Sequence, residues 1–345
     1  MDADRLYSAH HDTLEDFWDR RGSAPRHVFD FTIFGRSVRL LSNHAGPVQA
    51  AERSVPLFSV VAPEPGRGFA IQVVVKPERA DVGEPPNDFS NVIQYTGHGR
   101  WLAMHLGQWG CAFVDMSRRR ACAVVAAELA SRPVALSRSV LNTILLNFLI
   151  GDGSGLLHAT GLVRGDRAIV LLGEHNTGKS TTALRLALGG YRIVSDSQIH
   201  AGARHDPLQL LGFPVGIVNL RADTVSAFPQ FTLGPDERVE VRGETKYVLD
   251  LGRVRPDLVE RRGVSPRQID VCLLRRGSGS RTRVEAASRQ DVETAIMRNS
   301  LYYDTPAAWR RNLLMIQRLL DRAGCRHLVI GTDPDGIVAA VDGLG

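Results

Sequence analysis

Apolar and polar positions divide the chain into two stretches of different periodicity. Between residues 27 and 127 the apolar positions fall in short runs broken by Gly or Pro. Phe29-Asp30-Phe31-Thr32-Ile33-Phe34 alternates, turns at Gly35-Arg36 and resumes as Ser37-Val38-Arg39-Leu40-Leu41, which predicts a hairpin. Further strands are expected over 57–61, 68–75, 92–95, 101–106, 111–115 and 121–127, with a polar loop over 77–90. Ahead of them, Leu6, Leu14, Phe17 and Trp18 form a partial apolar stripe, expected on a surface helix over 5–21. The expectation for residues 1–134 is a β-rich, mostly antiparallel region.

From about residue 135 the pattern turns α/β. Leu141, Ile144, Leu145, Phe148 and Leu149 lie on one face of a helix expected over 137–150, closed by Gly151-Asp152-Gly153-Ser154-Gly155. A strand is expected over 156–163 with His158 inside it, and another over 167–172, an apolar run rich in β-formers. A helix follows from about Lys179 to Leu188 and stops at Gly189-Gly190, a pair suited to a helix C-terminus. Residues 191–195 read as a strand that delivers Asp196. Residues 198–203 continue as a strand or hairpin, short apolar runs follow over 208–213 and 216–220, and 221–242 reads as a mixed, loop-like stretch. A buried strand is expected over 269–274, helices over 291–300 and 307–323, a strand over 327–331 and a last helix over 334–341. Thr305-Pro306 marks the start of the second of those helices.

Composition narrows the class. At 345 residues the chain is long enough for two domains or one large one. Its 43% hydrophobic and 23% charged residues are ordinary for a globular protein. No unbroken run of about 18 apolar residues occurs, so no transmembrane helix is expected. Met1-Asp2-Ala3-Asp4-Arg5 lacks the basic-then-apolar layout of a signal peptide. Cys111, Cys122, Cys272 and Cys325 form no Cys-x-x-Cys pair and are expected as reduced core residues. A cytoplasmic location follows as the expectation. The net charge of +5 is spread among mixed charges, and Arg118-Arg119-Arg120 is expected at a solvated hairpin tip. Neither nucleic acid nor membrane is expected as a partner.

The chemistry concentrates between the strand over 167–172 and the following helix. Gly173-Glu174-His175-Asn176-Thr177-Gly178-Lys179-Ser180 fits G-x-x-x-x-G-K-[ST], with strand before and helix after, which is the context the phosphate-loop reading requires. Loop amides would cradle phosphate oxygens, helped by the helix dipole. The expected nucleotide-binding set is Gly173, Asn176, Thr177, Gly178, Lys179, Ser180 and Thr181, with ATP as the nucleotide. Lys179 would reach the β- and γ-phosphates, and Ser180 would complete a Mg²⁺ shell. Ten helical residues carry the chain about 15 Å away from the phosphates. Five extended residues carry it about 16 Å back. Asp196 therefore returns to the phosphate end, where a carboxylate holds Mg²⁺ or takes a proton from an attacking hydroxyl. Lys246 is a candidate second phosphate contact.

This stretch, with Leu157-His158-Ala159 before the loop and Gly190-Tyr191-Arg192-Ile193-Val194-Ser195-Asp196 after it, resembles the catalytic core of HPr kinase/phosphorylase and its relatives. The resemblance covers about residues 140–200. It implies an α/β phosphate-loop kinase core similar to the HPr kinase C-terminal domain, over 135–345, preceded by the β-rich region. It implies ATP-dependent phosphorylation of a serine hydroxyl, a role near the phosphates for His158 alongside Lys179 and Asp196, and possible self-association. His158 lies 21 residues before Lys179 and Asp196 lies 17 after it, as in that family. The chain departs from the family pattern at three places. Ser197 stands where a second aspartate is usual. Leu211 and Phe213 stand at the Glu and Arg positions ahead of the run Gly216-Ile217-Val218-Asn219-Leu220. These departures fit a diverged member acting on a hydroxyl of a peptide, a protein or a small molecule. A nucleotide-gated binding protein and a plain NTPase are the competing classes.

Overall fold

The computed structural model describes residues 17–64, 66, 68–78, 83–86, 89, 92–202, 208–233, 238–241, 244–300 and 306–344. They divide into two compact units. One holds the residues up to Pro56, those within Val61–Asp152 and the start of a late helix up to Arg311. The other holds Leu57–Val60, the residues from Gly153 to Ser300 and those from Asn312 onward.

The first unit is built on seven strands: β1 (His27–Ile33), β2 (Arg36–Ser42), β3 (Phe69–Lys76), β4 (Gln94–His98), β5 (Trp101–His105), β6 (Gly110–Asp115) and β7 (Arg120–Ala126). They lie in the order β1-β2-β3-β7-β6-β5-β4. The hairpin β1–β2 forms as its alternation predicts, with Phe34 and Gly35 at φ of 45° and 77° in the turn. The flanks are antiparallel, but the centre is not: β3 runs parallel to both β2 and β7. Parallel neighbours need a crossover. Helix α1 (Ala45–Ser54) supplies one, between β2 and β3. The sequence reading missed this helix because Gly46-Pro47 looks like a turn. In the structure Pro47 sits in the first helical turn, where its missing N–H costs nothing, and His44 Nδ1 caps the helix by accepting the Gly46 N–H at 3.0 Å.

A helical run, Pro133–Gly151, also belongs to this unit, so the division falls after Asp152 rather than at 134/135 as the sequence suggested. It ends in α2 (Asn142–Gly151), whose Phe148 ring stacks on Phe69 at 4.7 Å. By length and composition the run could cross a membrane, but 67% of its most apolar window is buried within the protein. At its end Asp152 receives the guanidinium groups of Arg36 and Arg119, at 2.6 and 2.5 Å. One arginine of the basic cluster is thus engaged internally.

Other expectations shift in detail. No strand forms over 57–61; Val60 makes a single bridge to Arg262 within the second unit. Cys111 is exposed, while Cys122 and Cys272 are buried and Cys325 is half-buried; all four are free thiols. The expected helix over 5–21 lies outside the described residues up to residue 16; Phe17 packs on Val74 and Cys122. Thr305 and parts of the 77–90 loop also lie outside them.

The second unit carries the site. Its strands are β8 (Gly155–Leu157), β9 (Thr160–Arg164), β10 (Arg167–Leu172), β11 (Arg192–Ser195), β12 (Gln198–Gly202), β13 (Gln209–Phe213), β14 (Ile217–Arg221), β15 (Arg238–Val241), β16 (Glu244–Asp250), β17 (Gln268–Arg276), β18 (Arg283–Ala286) and β19 (Ala323–Ile330). Its main helices are α3 (Lys179–Leu188), α4 (Arg289–Ser300), α5 (Pro306–Leu320, from Asn312 on) and α6 (Gly336–Asp342). A six-stranded sheet runs β11-β9-β10-β17-β19-β18, with smaller sheets β13-β12-β8 and β14-β16-β15.

β10 is apolar without alternation because both its faces are covered. Ile169 and Leu171 pack under α3, against Ala183, Leu184, Leu186 and Ala187. Ala168, Val170 and Leu172 pack with Val292 and Ile296 of α4 and with Met315, Ile316 and Leu319 of α5. β10 and β17 are parallel neighbours. From β10 the chain crosses by α3 to β11 on one side of the sheet; from β17 it crosses by α4 and α5 to β19 on the other. The two crossovers therefore diverge between β10 and β17. A crevice at the carboxyl ends of such strands is where α/β sheets bind ligands.

The segment 156–163 is not one strand. It breaks at His158-Ala159, so that β8 pairs with β12 and β9 with β10 and β11. The mixed stretch 221–242 is also more ordered than expected, with a helical turn at Ala222–Val225 and β15.

Candidate functional site

A cleft of about 410 Å³ opens at the carboxyl ends of β10 and β17. Of the residues singled out in the sequence, His158, Asn176, Gly178, Lys179, Ser180, Thr181 and Asp196 all line it. Gly173 and Thr177 shape the loop without lining the cleft. A Cβ on Gly173 would lie 2.6 Å from Thr177 Oγ1, which donates to Glu174 O at 2.9 Å. Asn176 and Gly178 adopt φ of 63° and 99°, turning the loop so that it enters α3 at Lys179. The α3 N-terminus brings the positive end of a ten-residue helix to the cleft.

Lys179 lies over its own loop, donating from Nζ to Gly173 O at 2.8 Å and to Glu174 O at 3.0 Å. Burial lowers its pKa; the Asp196 charge opposes that, and the Lys246 charge adds to it. Asp196 is brought back by the short β11, as the length argument requires, and only 6% of it is exposed. Burial raises its pKa to about 6, against hydrogen bonds from Ser180, Thr160 and the Asn219 amide and the nearby Lys179 charge. Thr160 Oγ1 is 3.0 Å from both Asp196 O and Oδ1, and the Asn219 N–H reaches Oδ2 at 3.4 Å. His158 sits at the corner between β8 and β9, which places it at the cleft wall rather than within a sheet.

The positions where the chain departs from the family pattern fall in two environments. Ser197 lines the cleft, its N–H donating to Ser195 Oγ at 3.3 Å. Leu211 and Phe213 are core residues, 5% and 7% exposed, and Phe213 stacks on Phe58 at 4.5 Å.

Lys246, the candidate second phosphate contact, also lines the cleft, among polar neighbours that the sequence did not single out. Glu244 on β16 accepts from Asn176 Nδ2 at 2.8 Å and pairs with His175 Nε2 at 3.2 Å. These hydrogen bonds, that from Asn176 first, lower its pKa. Lys246, two residues on along the same strand, lines the cleft, with its Nζ 3.7 Å from Glu244 Oε2. Arg276, the last residue of β17, donates to Asn176 O at 3.0 Å. Glu244 lies two residues before Lys246, on the same face of β16, and that spacing could have pointed to it; nothing local points to Arg276.

The site therefore combines a glycine loop at a helix N-terminus, a buried carboxylate and several cations. Ser180 donates a hydrogen bond to Asp196 at the head of α3, and among the described residues no cluster of three or more His, Cys, Asp or Glu side chains is built for a metal.

No family model matches the chain, and no curated protein matches it. Among solved structures, the HPr(Ser) kinase/phosphatase from Coxiella burnetii is similar at 16% identity over 48% of this chain and 96% of that one, with a TM-score of 0.23. At that level the likeness carries no argument about activity.

Proposed function

We propose that the chain is an ATP-dependent phosphotransferase, with an HPr-kinase-like core, that moves the γ-phosphoryl group to a hydroxyl. A serine of a peptide or protein is the favoured acceptor class. The observation that carries this reading is the placement of Asp196: a buried carboxylate with a pKa near 6, hydrogen-bonded through Ser180 to the start of α3 and close to Lys179.

In this reading the amides of residues 176–180 and the α3 dipole hold the phosphates. On nucleotide binding Lys179 exchanges Gly173 O and Glu174 O for phosphate oxygens and offsets charge on the transferred group. Ser180 and Asp196 would hold Mg²⁺, which neutralises phosphate charge when bound. Asp196 accepts the acceptor's hydroxyl proton as the oxygen–phosphorus bond forms and ADP departs. Burial raises the pKa of Asp196 toward operating pH, while hydrogen bonds from Asn176 and His175 hold Glu244 ionised. In this reading the base is Asp196. His158, at the cleft wall, supports the phosphates by hydrogen bonding.

The test is incubation with γ-labelled ATP, Mg²⁺ and size-separated extract fractions, with Lys179→Ala as control. Label on a peptide or protein is the expected result. Label on a small compound keeps the kinase and changes the acceptor class. Label in free phosphate alone indicates an NTPase, and bound but unconsumed ATP a nucleotide-gated module.

A further inference from the structure

Three donors converge on one carboxylate beside the glycine loop. Asn176 Nδ2 donates to Glu244 Oε1 at 2.8 Å, while His175 Nε2 and Lys246 Nζ lie 3.2 and 3.7 Å from Oε2. Two of the donors belong to the loop and the third to the cleft wall, and all three line the cleft. Lys246 is held deep, its side chain 13% exposed, whereas Glu244 is 36% exposed. The loop residue is fixed from both ends. Asn176 stands at φ 63°, and Arg276 of β17 holds its carbonyl at 3.0 Å while Glu244 of β16 holds its side chain.

From this convergence we propose that His175, Asn176 and Lys246 form an anion subsite for the terminal phosphate of a nucleoside triphosphate, occupied by the Glu244 carboxylate when the nucleotide is absent. The inference rests on the reading of the loop as a triphosphate site. It adds which residues distinguish a triphosphate from a diphosphate. Loop amides and Lys179 serve any phosphate chain lying along the loop. The three side chains lie beyond them, at the middle of the loop and across the cleft on β16. A carboxylate and a phosphate ask for the same donors, but the phosphate brings more charge and three acceptor oxygens. Nucleotide entry thus exchanges an internal anion for an external one, and Glu244 swings away from Lys246. Arg276 keeps the Asn176 backbone in place through the exchange.

The subsite predicts a ratio of affinities rather than a single affinity. Titration calorimetry with the imido analogue of ATP and with ADP, both with Mg²⁺, measures it in wild type, Glu244→Gln and Lys246→Ala. Lys246→Ala should weaken the imido analogue about tenfold or more while leaving ADP within about threefold. Glu244→Gln keeps the size and an acceptor for Asn176 but removes the competing charge. It should tighten the imido analogue several-fold and leave ADP nearly unchanged. A triphosphate-to-diphosphate ratio unmoved in either variant overturns the subsite while leaving the loop reading intact. Wild-type protein that binds neither nucleotide overturns the loop reading and the subsite with it. Glu244→Gln is close to isosteric at a half-exposed position, so the comparison stands even if Lys246→Ala folds poorly.

Discussion

Asp196→Asn should make the nucleotide-free protein more stable while removing its chemistry. Asp196 is almost fully buried, and its pKa is about 6 against an ordinary 3.8. Between those two values the folded protein binds a proton that the unfolded chain has released, so stability falls as pH rises through that window. The stabilisation present below 3.8 is lost by neutral pH, and the gap corresponds to about 3 kcal/mol. An amide carries no charge to desolvate, so the variant escapes this loss. Its hydrogen bonds can also be met. The amide oxygen takes the Asn219 N–H in place of Oδ2, while the amide nitrogen faces the hydroxyls of Thr160 and Ser180, which can accept. Thermal melting without nucleotide should show the variant roughly 3–5 °C above wild type at pH 7.5. That difference should shrink steadily as the pH is lowered toward 5. A variant that melts at or below wild type at pH 7.5, with a difference that does not change with pH, would refute the claim that burial of this charge opposes folding.

Three further outcomes follow from the same geometry. Lys179→Ala should abolish turnover, a loss of at least about a hundredfold, read by ATP consumption. It should also leave Gly173 O to solvent while Glu174 O keeps the Thr177 hydroxyl, with little change in melting temperature. Gly178→Ala meets nothing within 4 Å but forces φ 99° on a side chain; backbone strain of about 1–2 kcal/mol should weaken nucleotide binding by roughly tenfold, seen by calorimetry. Asn312→Ala should cost about 2–4 kcal/mol in denaturant unfolding, because the fully buried Asn312 amide accepts the Leu156 N–H at 2.5 Å and donates to Leu156 O at 3.2 Å, closing the free edge of β8.

The strand, loop, helix and return strand from 167 to 196 were legible because every signal there is local. An unbroken apolar run, a glycine spacing, a helix stop and a short strand suffice to place Asp196 opposite Lys179. The N-terminal alternation was local too, and β1 and β2 formed where it pointed. What escaped depended on distant partners. The parallel pairing of β3 with β2 and β7 is set by the crossover α1, and Gly46-Pro47 hides that helix. The break at His158-Ala159 arises because β8 and β9 join different sheets, a choice made by β12 and β10 rather than by the segment itself. Glu244 and Arg276 carry no local signal of their contacts. Their partners in the loop lie 68 and 100 residues away, and no spacing in the sequence reports such a contact.

The most direct test of the account is the pH dependence of ATP turnover, from pH 5 to 8, in wild type and Asp196→Asn, with Mg²⁺ and the acceptor that takes up label. If Asp196 is the base, wild-type kcat/KM should fall as pH drops through the titration of its carboxylate, which bound Mg²⁺ shifts below the value of about 6 that burial gives it in the empty site. The variant should be slower by about 10² to 10⁴ and should lack that inflection. Full turnover in Asp196→Asn, with the same inflection as wild type, would remove Asp196 from the mechanism and with it the proposed transfer.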